Sequence, residues 1–235
     1  MPRHYPEGLW DRGEEVQARA EASARAHLQK LAEGVDGETR LIVEATHSTH
    51  RSLVALIDRE KIDLAVMATH GREGLAHLLL GSVTEKVVQH GRCSVLCIRE
   101  PEHGVHIPYQ RVLVPTDLSE AATRSFPLAE RLARKFQTEV MALHVAADEA
   151  PSKQKLADSL AGHLEGLDVR HRVEIGRPWK KIVEVAERAE VDLIVMSTHG
   201  RHGLADSMLG STTERVVRHA PCPVLVNRLE LPGSD

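Results

Sequence analysis

Aromatic rings are nearly absent from this chain. Two Phe, two Tyr and two Trp make up 3% of its 235 residues, so a folded core must be filled by aliphatic side chains. Cysteine is scarce too. Cys93, Cys97 and Cys222 are too few for a disulfide framework, and no second pair completes a zinc site beside Cys93 and Cys97. They read as small buried hydrophobes in a reducing compartment. No apolar run approaches the roughly 20 residues of a membrane-spanning helix. The opening stretch, MPRHYPEGLW, holds no apolar segment of the signal-peptide kind, so a cytoplasmic location is expected. An excess of positive charge is also missing. The formal net charge is −4, which argues against a partner bound through its phosphodiester backbone. What remains is an ordinary globular composition, 42% hydrophobic and 27% charged.

What is present is a repeat. VMATHGREGLAHLLLGSVTEKVV begins at Val66, and VMSTHGRHGLADSMLGSTTERVV begins at Val195. The match runs without a gap from Ile62 and Val191 to Arg99 and Arg228, and more than half of its positions are identical. Its period is far too long for a solenoid, so each copy should be a domain or most of one. The proline-, glycine- and histidine-bearing stretch IREPEHGVHIPYQ separates them, which sets domains at residues 1–104 and 105–235.

The second copy alternates strand and helix. RVLVPTD reads as a strand ending near Asp117, Ser119 to Phe136 as a helix, and EVMALHV as a second strand. A helix from Lys153 to Glu165 follows, then the strand VRHRVEIG and a helix entered at Pro178. VDLIVMSTHG is a buried central strand, Ser211 to His219 a helix, and CPVLVN the last strand. Such alternation implies an α/β fold with a parallel sheet. The first copy starts late. Its first recognisable piece is a helix from Glu14 to Glu33, followed by the strand TRLIVEA, a helix from Leu53 to Glu60 and the strand IDLAVMATHG. Nothing in it corresponds to RVLVPTD, the helix after it or EVMALHV.

The repeated stretch carries the chemistry. In copy two an apolar strand ends at Met196, Gly200 follows in a turn, and Gly210-Ser211 opens a helix. Glycine lets backbone approach a ligand closely. A helix start supplies unpaired N–H groups and about half a positive charge, which suits phosphate. Neither the G-x-x-x-x-G-K-[ST] nor the G-x-G-x-x-G fingerprint occurs. Ser211 to Glu214 and Ser82 to Glu85 also fit capping boxes, so both serines have a purely structural alternative. Asp117 has one as well, as a cap on the helix at Ser119.

The motifs VLVPTDLSE, MALHV, the strand ending in THG with Gly-x9-Gly-Ser behind it, and ERVVRHAPCPVLV occur in one order. In that order they resemble the universal stress protein family, over essentially all of 110–228 and from about 14 to 99. The resemblance implies doubly wound repeats with strand order 3-2-1-4-5, the first of them incomplete. It implies a ligand at the carboxyl ends of strands one and four, where the order reverses. Carried over, Pro115, Thr116, Asp117 and Val145 would contact an adenine nucleoside. Met196, Ser197, His199, Gly200, Gly210, Ser211, Thr212 and Thr213 would line ribose and phosphates. ATP, with or without Mg, is the implied cofactor. Ser197 and, in copy one, Ala68 stand where ATP-binding members usually have glycine. Copy one keeps Met67 and a vestigial phosphate site of His70, Gly71, Gly81, Ser82 and Thr84.

With strands one and two absent, copy one would leave a gap of roughly 10 Å between its strands three and four. A start upstream of Met1, strands from another chain and a rearranged half-sheet are the alternatives. Of the fifteen histidines, the pairs His47/His50 and His199/His202 could each share a helix face, but a metal needs further ligands and no metal site is expected. No nucleophile–base pair stands out, so a dedicated enzyme is not expected, weak ATP hydrolysis at most.

The implied function is a stress-response regulator whose nucleotide governs partner binding or assembly. The alternatives are a scaffold of the same fold that uses no nucleotide, and a slow ATPase. The final strands CSVLCIRE and CPVLVNRLE are expected to pair across a pseudo-twofold within the chain, and a homodimer is also open.

Overall fold

The computed structural model describes residues 8–68, 81–98, 108–146, 150–164, 166–197 and 210–228. The chain divides into two compact units, Met1–Ser52 and Leu53–Asp235.

The first unit holds α1 (Gly8–Ala32), a helix without proline whose alanines, glutamates and leucines favour the conformation. Past Gly37, at φ +119, the segment TRLIVEA takes no strand conformation, contrary to expectation. The reason is topological. In the order 3-2-1-4-5 a third strand pairs only with a second, and no second strand is described in this copy, so its N–H and C=O groups have no ladder to join. The expected gap inside a sheet therefore does not arise. Thr46 then receives the Ser48 N–H at 3.0 Å and the Ser52 hydroxyl at 2.7 Å on Oγ1, ordering the entry to α2 (Thr49–Glu60).

The second unit carries β1 (Leu64–Ala68), α3 (Ser82–His90) and β2 (Ser94–Ile98) from the first copy. The complete copy supplies β3 (Arg111–Thr116), α4 (Glu120–Thr123), α5 (Phe126–Phe136), β4 (Glu139–Ala146), α6 (Ala150–Leu160) and β5 (Val169–Ile175). It ends with α7 (Pro178–Arg188), β6 (Leu193–Ser197), α8 (Ser211–His219) and β7 (Val224–Asn227). The helix expected across Ser119 to Phe136 is broken into α4 and α5. Pro127 lies in the first turn of α5 and has no N–H to continue a helix from α4.

One seven-stranded sheet runs β1-β2-β7-β6-β3-β4-β5. Within the complete copy the order β5-β4-β3-β6-β7 is third-second-first-fourth-fifth, as the resemblance implied. The two copies meet where β2 pairs antiparallel with β7, Val95 opposite Val226 and Cys97 opposite Val224. The expected pairing of the two final strands thus forms inside one chain.

Alternation along the strands divides the core into two layers. Leu113, Leu143, Ile194, Val95 and Val226 face α2, α3, α7 and α8. Val112, Val114, Val140, Leu193 and Val195 face α5 and α6. Phe126 is the one fully buried phenylalanine of the described core, and aliphatic side chains fill nearly all the rest.

Candidate functional site

β3 and β6 are tied at one end and part at the other. At their amino ends the Asp192 carboxylate accepts the backbone N–H groups of Gln110 and Arg111, both at 2.8 Å, and the Asp192 N–H donates to the Arg111 carbonyl at 3.0 Å. The ladder then holds only Val112 to Leu193 and Leu113 to Ile194, although β3 runs on to Thr116 and β6 to Ser197. Pro115 has no N–H to offer, and the β6 side is where the ladder ends. On the other side β3 stays paired with β4 through Pro115–Leu143 and Thr116–His144. β3 and β6 are therefore unpaired at their carboxyl ends, the point where strand order reverses and where sheets of this kind form a ligand crevice.

Asp117 leaves β3 exposed at its rim. Its Oδ1 accepts the Ser119 N–H at 3.0 Å and the Ser119 hydroxyl at 2.5 Å, an Asx turn. Ser119 is the cap of α4, accepting the Ala122 N–H at 3.2 Å. Asp117 thus holds the capping residue and is not itself the cap. Thr116 is buried, and its Oγ1 accepts the Leu118 N–H at 3.0 Å. His144, which sequence reasoning overlooked, meets the Thr116 carbonyl through Nδ1 at 2.9 Å and fixes the end of β4 against β3. Its signal was its place inside MALHV, one residue before Val145. Val145 is half-buried and packs against the α7–α8 layer. Met196 is 6% exposed with its side chain in that same layer, so it offers the crevice only backbone. The Ser197 hydroxyl is buried and has no hydrogen-bond partner among the described residues.

The start of α8 differs from the capping-box expectation. Gly210, at φ −56 and ψ 136, is the N-cap, Ser211 is the first helical residue, and among the described residues no side chain caps the helix. α3 repeats this at Gly81, φ −58 and ψ 133, with Ser82 inside the helix. The serines are displaced because the glycine carbonyls already accept the first helical bonds, from Glu214 at 3.0 Å and Glu85 at 2.9 Å. First-turn N–H groups without a side-chain cap are what an anion takes at a helix start. Ser211 is exposed, Thr212 half-buried and Thr213 buried. In copy one Thr84 is buried and donates its hydroxyl to the Ala68 carbonyl at 2.8 Å, seating α3 on the end of β1. His70, Gly71, His199, Gly200 and His202 lie outside the described residues.

The three thiols are all buried. Burial pushes Cys97 and Cys222 up to about 12, and raises Cys93 as well. They stay protonated at neutral pH and take no part in the crevice.

With this geometry in place, the likeness to known proteins is decisive. The model of the Universal stress protein family matches residues 2–99, 108–166 and 152–228. The chain belongs to the universal stress protein family. Its stress-response relatives include the universal stress protein Rv2005c of Mycobacterium tuberculosis. That protein is 31% identical over 249 residues, which span 97% of this chain and 82% of the relative. A universal stress protein of Mycolicibacterium smegmatis is 28% identical over 233 residues, covering 91% and 79%. A solved universal stress protein from Archaeoglobus fulgidus superposes with TM-score 0.73 at 26% identity, covering 96% of this chain and 84% of its own.

Proposed function

We propose that this stress protein is a regulator that binds an adenine nucleotide, ATP foremost, in its complete repeat. The repeats are read as residues 1–104 and 105–235. The observation that carries the proposal is the parting of β3 from β6 at the strand reversal, together with an α8 N-terminus that no described side chain caps. The donor set fits the ligand. Backbone N–H groups at Gly210 to Thr213 suit phosphate, and the exposed Asp117 carboxylate accepts from ribose hydroxyl or adenine amino groups. The orphaned Ser197 hydroxyl is a further polar group that a nucleotide would satisfy. Mg accompanying the nucleotide would be held chiefly by the nucleotide's own phosphates. Binding at the crevice changes which partners the protein takes or how it assembles, in a cytoplasmic setting.

A scaffold that uses no nucleotide is the second reading. Ser197 and Ala68 at the strand ends favour it, together with a copy-one half in which no nucleoside-holding strand is described. Calorimetry with ATP, ADP and AMP separates the two. The expected result is saturable heat with the native chain, weakened at least tenfold by Asp117→Ala and less by Asp117→Asn, which keeps the Asx acceptor. No heat with any of the three nucleotides leaves the scaffold reading standing.

A further inference from the structure

We propose that the open side of β1 is a docking site for a strand–helix segment of a partner chain, built like β3 and α5 of this protein. β1 and β6 are the same strand of the two copies, 129 residues apart, and their surroundings differ sharply. Leu64 is 46% exposed and Val66 58%, whereas their counterparts Leu193 and Val195 are 1% and 0%. Ile62 is 39% exposed against 6% for Val191. The other face of β1 is not in question, because Ala65 and Met67 pack against the layer of α2 and α3. Among the described residues, no strand pairs with the outer edge of β1 and no helix packs over its Leu64–Val66 face.

The chain itself shows what closes such a strand. On β6 the edge is taken by β3, and the face lies in one buried cluster with Phe126, Ala129 and Ala133 of α5. That interface already exists once in this molecule, and β1 presents the same surface again without its cover. Among the described residues before Leu53 there is no strand that could provide it.

Charge narrows the occupant further. The opposite edge strand, β5, carries Arg170, His171, Arg172 and Glu174, the kind of edge that resists strand addition. β1 reads Leu-Ala-Val-Met-Ala, with no charge to desolvate. It suits addition of an apolar parallel strand, with an amphipathic helix laid over Leu64 and Val66. A second β1 pairing across a twofold would supply an edge but no helix for the exposed face, so a second copy is the weaker occupant. A strand docked as β3 docks on β6 would end beside Ala68 and the uncapped start of α3. The first copy's phosphate half would then gain the neighbours its twin already has. The inference stands apart from whether nucleotide binds in the complete repeat.

The probe is a fluorescent peptide of residues 108–137, the β3–α5 segment, titrated into the folded full chain with anisotropy as the readout. Saturable binding is expected. Val66→Lys should weaken it at least tenfold, whereas Ile175→Lys on the β5 edge should leave it within twofold. Both positions are exposed, and unchanged thermal melts would establish that the variants fold; Leu64→Glu serves in place of a variant that does not. Failure of the peptide to bind overturns the proposal, as does binding indifferent to both Val66→Lys and Leu64→Glu. Sedimentation of the chain alone as a dimer that Val66→Lys dissociates overturns it too, in favour of a second copy.

Discussion

Gly210 is the residue at which structure and ligand binding can be separated most cleanly. Glycine at a helix start is often needed for a left-handed backbone, but here φ is −56, which any residue adopts. A Cβ added at Gly210 meets nothing within 4 Å. Folding therefore does not require glycine at this position, and what remains is room for a ligand to approach the backbone. Gly210→Ala should lower the unfolding free energy by no more than about 1 kcal/mol, the order for alanine at an N-cap. The same substitution should weaken ATP binding at least tenfold in calorimetry. Equal affinity in the two proteins would mean that the glycine does not face the phosphates. At Gly91, by contrast, an added Cβ would sit 2.7 Å from the Val87 carbonyl oxygen, so a side chain there needs a local shift at the end of α3.

Between elements, the seam joining β2 and β7 depends on Arg228. Its guanidinium donates to the carbonyls of Gln89 at 2.7 Å and Gly91 at 2.9 Å, where α3 ends. A cation at a helix C-terminus gains from both the hydrogen bonds and the helix dipole. Arg228 is partly desolvated, which lowers its pKa without neutralising it. Beside it Ser94 donates to the Asn227 Oδ1 at 3.0 Å, and Asn227 Nδ2 donates to the Arg124 carbonyl at 2.7 Å. Arg228→Ala should cost about 2 kcal/mol, the order for losing charged hydrogen bonds. Arg228→Lys should restore only part of it, because one ammonium cannot reproduce the forked geometry. Urea unfolding followed by far-UV circular dichroism measures both, and an unchanged midpoint in Arg228→Ala would show that the clamp adds nothing.

Legibility at this scale followed periodicity. Every strand of the complete copy was readable, because each is a short apolar or mixed β-rich run bounded by turn residues. TRLIVEA has the same composition and forms no strand, since ladder partners are not written in a strand's own residues. The serine caps misled for a related reason. Ser211 and Ser82 have the right neighbours for a capping box, but the preceding glycines take the N-cap conformation first. Of the candidate site, the crevice followed from strand order, whereas its rim of Asx turn, His144 and orphaned Ser197 depended on contacts between elements.

At the scale of the whole molecule, the seam makes stability depend on alkaline pH. Cys97 lies on β2, and Cys222 just precedes β7, the strand that pairs with it. Both thiols rise from 9.0 to about 12, chiefly because burial disfavours the thiolate. A raised acid pKa in the folded state means that the folded chain holds these protons more tightly than the unfolded one. The resulting stabilisation is complete below pH 9 and is lost as pH rises from there through about 12. Tyr109, also raised by burial, acts in the same direction. The urea midpoint of the native chain should therefore fall steeply at alkaline pH. Cys97→Ala combined with Cys222→Ala should begin less stable at pH 8, from the lost packing, yet decline with a shallower slope between pH 9 and 11. Thiol titration with an aromatic disulfide at pH 8 should show all three cysteines unreactive until urea unfolds the chain. Parallel slopes in the native and doubly substituted proteins would place the alkaline sensitivity outside the two seam thiols.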